Sequence, residues 1–482
     1  MTELLLLLHT AHAADLSLDG EIREVGRMIS DFAVDAEGTT LDQGMVLEQR
    51  IRLGGAIDWD QVSVGLAGDV LTGPIVGDPW GIPTPNDILA HDQRQYDDIN
   101  PTSWEHFALR RAAVSGTAGP VQLEGGVVTS HWGLGMLAND GDHDRLFGQT
   151  RFGDRVLRVR ATTRLPQTPL YFSGAVDRVI EDDLARWMDG QVANQAIFSM
   201  LYRDDSGLKI GAYGVARTQY EADDVRSTSA QVLDMYADVP FSGLGMSWRA
   251  AVEVAGITGS TNRSMSYVAL DELAVRSLGA TGLLEALVPD RGGLILLGGY
   301  ASGDGDLDDG TAHDFTFDRD FGVGQVLFPE VIGAVNAGTY ALLDDPEFSA
   351  QPPPGAEAIV TEGAFQRAAF FSPVARFTPT SWSTLRAGAV LAWATAPIAQ
   401  PFYTTRAGGT PTSHHDLATT GARLGTELCW AAAVGAAPID VAGETVHGSL
   451  EVQGGHAMLS EDLAGPGAER VDLYSLTGRL SW

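Results

Sequence analysis

Six arginines recur at positions whose chain neighbours are largely apolar. Arg50 and Arg52 alternate with Ile51 and Leu53, and Glu48 shares their face. Arg158 and Arg160 alternate with Leu157 and Val159, Arg164 follows on the same face, and Arg386 stands between Leu385 and Ala387. A guanidinium stays protonated and grips carboxylates with two parallel hydrogen bonds. A set of them around a narrow channel favours anions. The competing role is structural: the same arginines pair with interior acids such as Glu48, Glu124 and Glu427 and fill space. Arginine is the preferred cation throughout, Lys209 being the only lysine.

Other polar clusters offer different chemistry. Asp142-His143-Asp144 and His313-Asp314 have the residue types of an aspartate–histidine hydrolytic site, and His414-His415-Asp416 those of a metal cluster. Such short motifs are frequent by chance, and the chain contains neither G-x-S-x-G nor H-E-x-x-H. Catalysis is therefore not expected. The run Asp304-Gly305-Asp306-Leu307-Asp308-Asp309-Gly310 presents Asp304, Asp306 and Asp308 as oxygen donors for calcium. Its glycine falls one position late for an EF-hand and no flanking helices are evident, so a solvated acidic loop is the expected reading. No other cofactor is expected. The single Cys429 excludes an intramolecular disulfide framework and reads as a small apolar filler beside Trp430.

The elements that carry these residues show a period of two. From Val471 to the end, Tyr474, Leu476, Gly478, Leu480 and Trp482 fall on one face, and Leu473, Ser475, Thr477, Arg479 and Ser481 on the other. One face suits lipid, the other a wet interior, and a terminal indole suits a membrane–water interface. About eighteen such segments follow one another, an even number within the range of transmembrane barrels. They begin with Leu18 to Ala33 and Met45 to Ile57, include Val121 to Leu134 and Arg155 to Arg164, and end with the terminal strand. Ten residues at about 3.3 Å each, tilted by roughly 40–45°, cover the height of a barrel's apolar band.

Connection lengths alternate. Tight, turn-rich links follow the even-numbered strands, as at Asp58-Trp59-Asp60-Gln61, Pro166-Gln167-Thr168-Pro169 and Pro289-Asp290-Arg291-Gly292. Several long links follow the odd-numbered ones: Gly73 to Trp104, Gly135 to Asp154, Gly303 to Phe365 and Ala396 to Thr420. A barrel threaded from the periplasm has short turns at one end and long loops at the other. The Gly303–Phe365 loop holds Phe328 to Val335, a short helix opened by proline, and the sequence leaves open whether this loop folds inward or caps the outside.

The net charge of −32 argues against nucleic acid as a partner, and no apolar run reaches the roughly eighteen residues of a membrane helix. Leu4 to Leu8 before Ala11-His12-Ala13 reads as a signal cleaved after residue 13, so residues 1–13 are expected to be a signal peptide and residues 14–482 one barrel with a long loop at about 303–365.

Three segments carry resemblances. The terminal strand resembles the closing strand of outer-membrane β-barrels. Tyr300-Ala301-Ser302-Gly303-Asp304-Gly305-Asp306 resembles a segment of the alginate-export porin family that ends a strand and opens an acidic external loop. Ser130 to Gly141 resembles a motif of uncharacterised Gram-negative outer-membrane barrel proteins. The resemblance implies an all-β, eighteen-stranded monomeric barrel in the outer membrane with an arginine-rich constriction for a polyuronate. The expected function is a porin for passive diffusion or export of small or polymeric, sugar-acid-like anions. A plugged barrel that binds through its external loops is the alternative. The expected partners are outer-membrane lipid, the barrel assembly machinery acting through the terminal strand, and a small-molecule or polysaccharide solute.

Overall fold

The computed structural model describes residues 14–34, 40–41, 44–77, 107–150, 153–222, 225–263, 272–307, 309–344, 363–413, 420–441, 444–465 and 470–482. The expected signal segment, Asp308 and the His414-His415-Asp416 cluster lie outside these residues.

Among the described residues, eighteen strands of 9 to 17 residues form one antiparallel sheet closed on itself. In chain order they are β1 Asp15–Ile29, β2 Met45–Trp59, β3 Val62–Val76, β4 Phe107–Ala118, β5 Val121–Thr129 and β6 Arg155–Arg164. Next come β7 Leu170–Glu181, β8 Val192–Arg203, β9 Lys209–Tyr220, β10 Ser227–Gly243, β11 Met246–Thr261 and β12 Leu273–Val288. The last six are β13 Gly292–Ala301, β14 Ala368–Thr380, β15 Ser383–Ala394, β16 Arg423–Gly435, β17 Glu444–Leu459 and β18 Arg470–Ser481. β1 closes the barrel by pairing with both β2 and β18, so Ile22 lies opposite Ile51 on one side and Leu480 on the other. Closure leaves no unpaired sheet edge in the bilayer, as lipid requires.

The period-two pattern decides which way each side chain points. On β6, Leu157 and Val159 are exposed while Val156 and Arg158 are buried. On β18, Tyr474, Leu476 and Leu480 are exposed while Val471, Leu473 and Thr477 are buried. The exterior is thus an apolar belt, and the polar face lines the inside. The short hairpins use left-handed residues, Asp60 at φ 44°, Gln167 at 62°, Leu244 at 56° and Asp290 at 58°, which tight β-turns demand.

Two elements differ from the sequence expectation. The first strand ends at Ile29 rather than Ala33, and Phe32–Ala33 pairs instead with Thr40–Leu41. The fifth ends at Thr129 rather than Leu134. Gly133 and Gly135, at φ 60° and 81°, turn the chain out of the sheet there.

The core lies inside the barrel. The described residues 315–344 and 363–367 of the long β13–β14 connection fold inward. They carry a π-helical turn at Leu327–Ile332 that runs into helix α1, Gly333–Asp344. Phe315, Phe317, Phe328 and Phe365 pack edge to face with centroids about 5–6 Å apart. They rest against small wall residues, among them Ala255, Ala301, Ala368 and Ala457. On β12, Gly279 leaves room for the ring of Phe315, which a Cβ at that position would strike. The wall is small where the plug is large, as close packing requires.

Candidate functional site: the lumen

Residues 130–150 of the β5–β6 connection cross the lumen from wall to wall. At one end the Trp132 indole donates to Asp234 Oδ1 on β10 at 3.1 Å, and the Leu134 amide donates to Glu253 on β11. At the other, the Gly148 amide donates to Gln453 Oε1 on β17 at 2.8 Å and Gln149 reaches Thr477 on β18 at 3.3 Å. Phe147 packs between with Ile295, Val374 and Cys429. The β13–β14 plug is held by the neighbouring strand, where Glu427 of β16 accepts the amides of Gln325, Val326 and Leu327 at 2.8, 3.2 and 2.9 Å. The two inward loops also touch, Arg145 donating to the Asp320 carbonyl at 2.8 Å and to its carboxylate at 3.0 Å. Buried amides must find acceptors, and single carboxylates on the wall satisfy them in groups.

The sequence-predicted residues fall on the interior face but are not brought into one ring. Glu48 pairs with Arg27 at 3.4 Å, Arg50 with Glu21 at 2.6 Å, and Arg52 with Asp69 at 2.5 Å as well as with Asp142 of the inward loop. Across the barrel wall on β6, Arg158 grips Asp177 two-pronged at 2.6 and 2.8 Å and reaches Ser130 Oγ at 3.1 Å. Arg160 pairs with Glu124 at 2.7 Å. Arg164 sits at the turn, donating to the Thr168 carbonyl at 2.7 Å with its guanidinium over Tyr171. Arg386 on β15 pairs with Glu451 on β17, two strands along the same wall, and lies 6.0 Å over the ring of Phe147. These cations are matched with acids or carbonyls along the wall.

The acidic run after β13 uses its oxygens locally. Asp304 is buried, accepts the amides of Asp306 at 3.0 Å and His313 at 3.2 Å, and its own amide donates to Asp314 at 2.7 Å. His313 Nδ1 lies 3.0 Å from the Arg276 carbonyl, and Asp314 pairs with Arg367. In the other aspartate–histidine motif, His143 pairs with Asp140 at 2.9 Å, while Asp142 and Asp144 pair with Arg52 and Arg479. The bond to Asp140 raises the His143 imidazole above its ordinary value. Burial, with His143 adjacent, lowers His131.

Beside the crossing loop lies a cavity of about 490 Å³. Its cations are Arg203, Lys209 and Arg249, and its aromatic surface is Trp132 and Tyr236. Trp132 stacks on Tyr213 with centroids 5.1 Å apart and meets Tyr236 edge-on at 6.4 Å. Gly211 lies under the Trp132 ring, which a Cβ there would crowd. Arg203 stands over Tyr171 at 5.3 Å, and Arg249 pairs with Asp238 at 3.0 Å. Sequence reasoning singled out none of these as a group. The parity rule that marked Arg158 also marks Arg203, on the face opposite outward Phe198 and Met200, and Lys209, beside outward Ile210. Trp132 had no such signal, because it lies in a loop.

No family model matches the chain, and no curated protein matches it. Solved structures do. OccK8 (OprE) of Pseudomonas aeruginosa superposes with a TM-score of 0.53 at 9% identity, over 97% of this chain and 98% of that one. OccD3 (OpdP) of the same organism superposes with a TM-score of 0.50 at 11% identity, over 97% and 91%. The chain has the fold of these outer-membrane porins, an eighteen-stranded barrel. None of these comparisons shows the alginate-export porin family.

Proposed function

We propose that the chain is an outer-membrane porin through which small anionic solutes diffuse, in a lumen narrowed by two inward loops. The observation that carries this reading is the cavity beside residues 130–154, where Arg203, Lys209 and Arg249 face an aromatic surface of Trp132 and Tyr236. Cations attract a carboxylate, and an indole face suits the apolar side of a sugar or an aromatic acid. A volume of about 490 Å³ accommodates one small molecule and favours a single sugar-acid-sized solute over a polymer. The barrel sits as a monomer in lipid, and its β18 strand is the segment the assembly machinery takes up.

A second reading is favoured by the plug's own core: its phenylalanine cluster and the Glu427 tether are those of a firmly seated element. On that reading the barrel is closed and its external loops bind a partner. Planar-bilayer recording of the refolded, heat-modifiable barrel under a salt gradient separates the two. Anion-selective openings support the porin. Cation selectivity, or silence from a folded barrel, overturns it, and silence favours the plugged barrel.

A further inference from the structure

We propose that His131, Asp140 and His143, all in the loop that crosses the lumen, form a binding site for a Zn²⁺-class divalent transition metal. One ligand atom from each lies within 4.8 Å of the other two, and among the described residues these three are the one such group of histidine, cysteine or acid side chains. The two imidazoles lie face to face with centroids 3.9 Å apart and an 18° interplanar angle. Both turn Nδ1 toward one carboxylate oxygen, His143 at 2.9 Å and His131 at 3.8 Å from Asp140 Oδ1. A tetrahedral zinc ion with bonds of about 2.0–2.1 Å sets its ligands roughly 3.4 Å apart. The two separations from Asp140 straddle that value, and rotating the stacked rings about their side-chain torsions, so that the in-plane Nδ1 lone pairs converge, seats the ion.

A second observation points the same way. His131 Nδ1 is buried and has no hydrogen-bond partner among the described residues. An orphaned buried ring nitrogen is costly, and a metal ion is one of the few partners that fits between it and a carboxylate. The supports of the loop hold this geometry open: Asp140 Oδ1 also accepts the Asp142 amide at 3.0 Å, and the Asp140 carbonyl accepts from Arg110 of β4. Such outer contacts orient ligands for a metal. Both imidazoles line the 490 Å³ cavity, which leaves room beside them for a water as fourth ligand, the arrangement of three-ligand zinc sites.

The site stands independently of the porin reading and is tested without transport. Zn²⁺ alone is titrated calorimetrically into the full-length, detergent-solubilised barrel, with heat-modifiability checked for every variant. The expected result is a site of one Zn²⁺ per chain that weakens at least about 100-fold in His131→Ala and in His143→Ala, more than loss of an outer-shell partner costs. Asp140→Asn should weaken it at least about 10-fold. The paired variant His414→Ala with His415→Ala should leave it unchanged. Absence of Zn²⁺ binding by the folded chain, binding that survives both His131→Ala and His143→Ala, or binding lost in the His414/His415 variant overturns the proposal.

Discussion

Gly324 and Glu427 meet so closely that no Cβ fits between them: an alanine at 324 would stand against the glutamate carboxylate. Gly324 is left-handed at φ 69°, and this turn delivers the next three amides to the same carboxylate. Gly133 repeats the arrangement on the other inward loop, left-handed at φ 60° and packed on Glu253, which accepts the Leu134 amide. Each lumen loop is thus tied to its wall by a glycine turn folded over a buried glutamate.

Gly324→Ala should therefore loosen the plug without opening the barrel. The left-handed backbone alone costs a β-carbon residue about 1–2 kcal/mol, before the clash with Glu427. Hydrogen exchange at residues 325–327 should rise about tenfold or more, with larger single-channel conductance and an unchanged heat-modifiable band. Unaltered exchange at those amides would count against the tether.

How much of this was legible varies with the range of the interaction. The eighteen strands, their facing and their turns follow from local periodicity, because a strand's side chains alternate whatever the tertiary fold. The terminal segment and Arg158 were readable for that reason. Where the loops go was not. Val121 to Leu134 continues an apolar pattern, and only Gly133 and Gly135 mark the departure at Thr129. That Arg158 meets Asp177 depends on strand register, which places the two directly opposite. Glu427 reads from its strand as an interior acid, but its partners are not arginines and lie about a hundred residues away in a segment without strand periodicity.

Arg158→Leu tests the price of that pairing. Asp177 would be left as a buried carboxylate with its two-pronged partner gone. Breaking one side of a buried pair costs about 3–5 kcal/mol. The variant should unfold at lower denaturant and shift the reversal potential toward cations, because the lumen gains a net negative charge. Arg158→Leu combined with Asp177→Leu should recover most of the stability. A single variant as stable as the parent would show that the pair contributes little.

Gly20 and Trp482 make a third testable contact. The indole of the last residue lies over Gly20 on β1, and their backbones exchange hydrogen bonds at 3.1 and 3.2 Å at the seam where β18 closes on β1. Gly20→Leu should displace the ring, and deleting Trp482 should remove it with its share of the seam. Both should slow the appearance of the heat-modifiable form during refolding into vesicles. Gly478→Ala, at a β18 position where a Cβ meets nothing within 4 Å, should not.

The plug is also tied to the β7–β8 connection, and this tie should respond to pH. Asp183 accepts from the Arg319 backbone amide at 2.9 Å and from its guanidinium at 2.5 Å. Burial pushes the Asp183 carboxyl up to about 6, against the opposing pull of Arg319 and with Asp182 adding to the rise. Asp154 and Asp318, buried in the same acidic cluster, are raised further, while Asp182 is held down by Arg217 despite its burial. A carboxyl raised in the docked state binds its proton more tightly there than when released. Its contribution to docking is therefore full below about pH 4 and is lost as pH rises through about 6. Two units correspond to a change on the order of 2–3 kcal/mol, and partial solvation of Asp183 lowers that figure. Exchange of the amides at residues 319–321, corrected for intrinsic rates, should be faster at pH 7.5 than at pH 5. In Asp183→Asn the step centred near pH 6 should vanish, leaving only the changes due to Asp154 and Asp318. A step of undiminished size in that variant would assign the titration to another group.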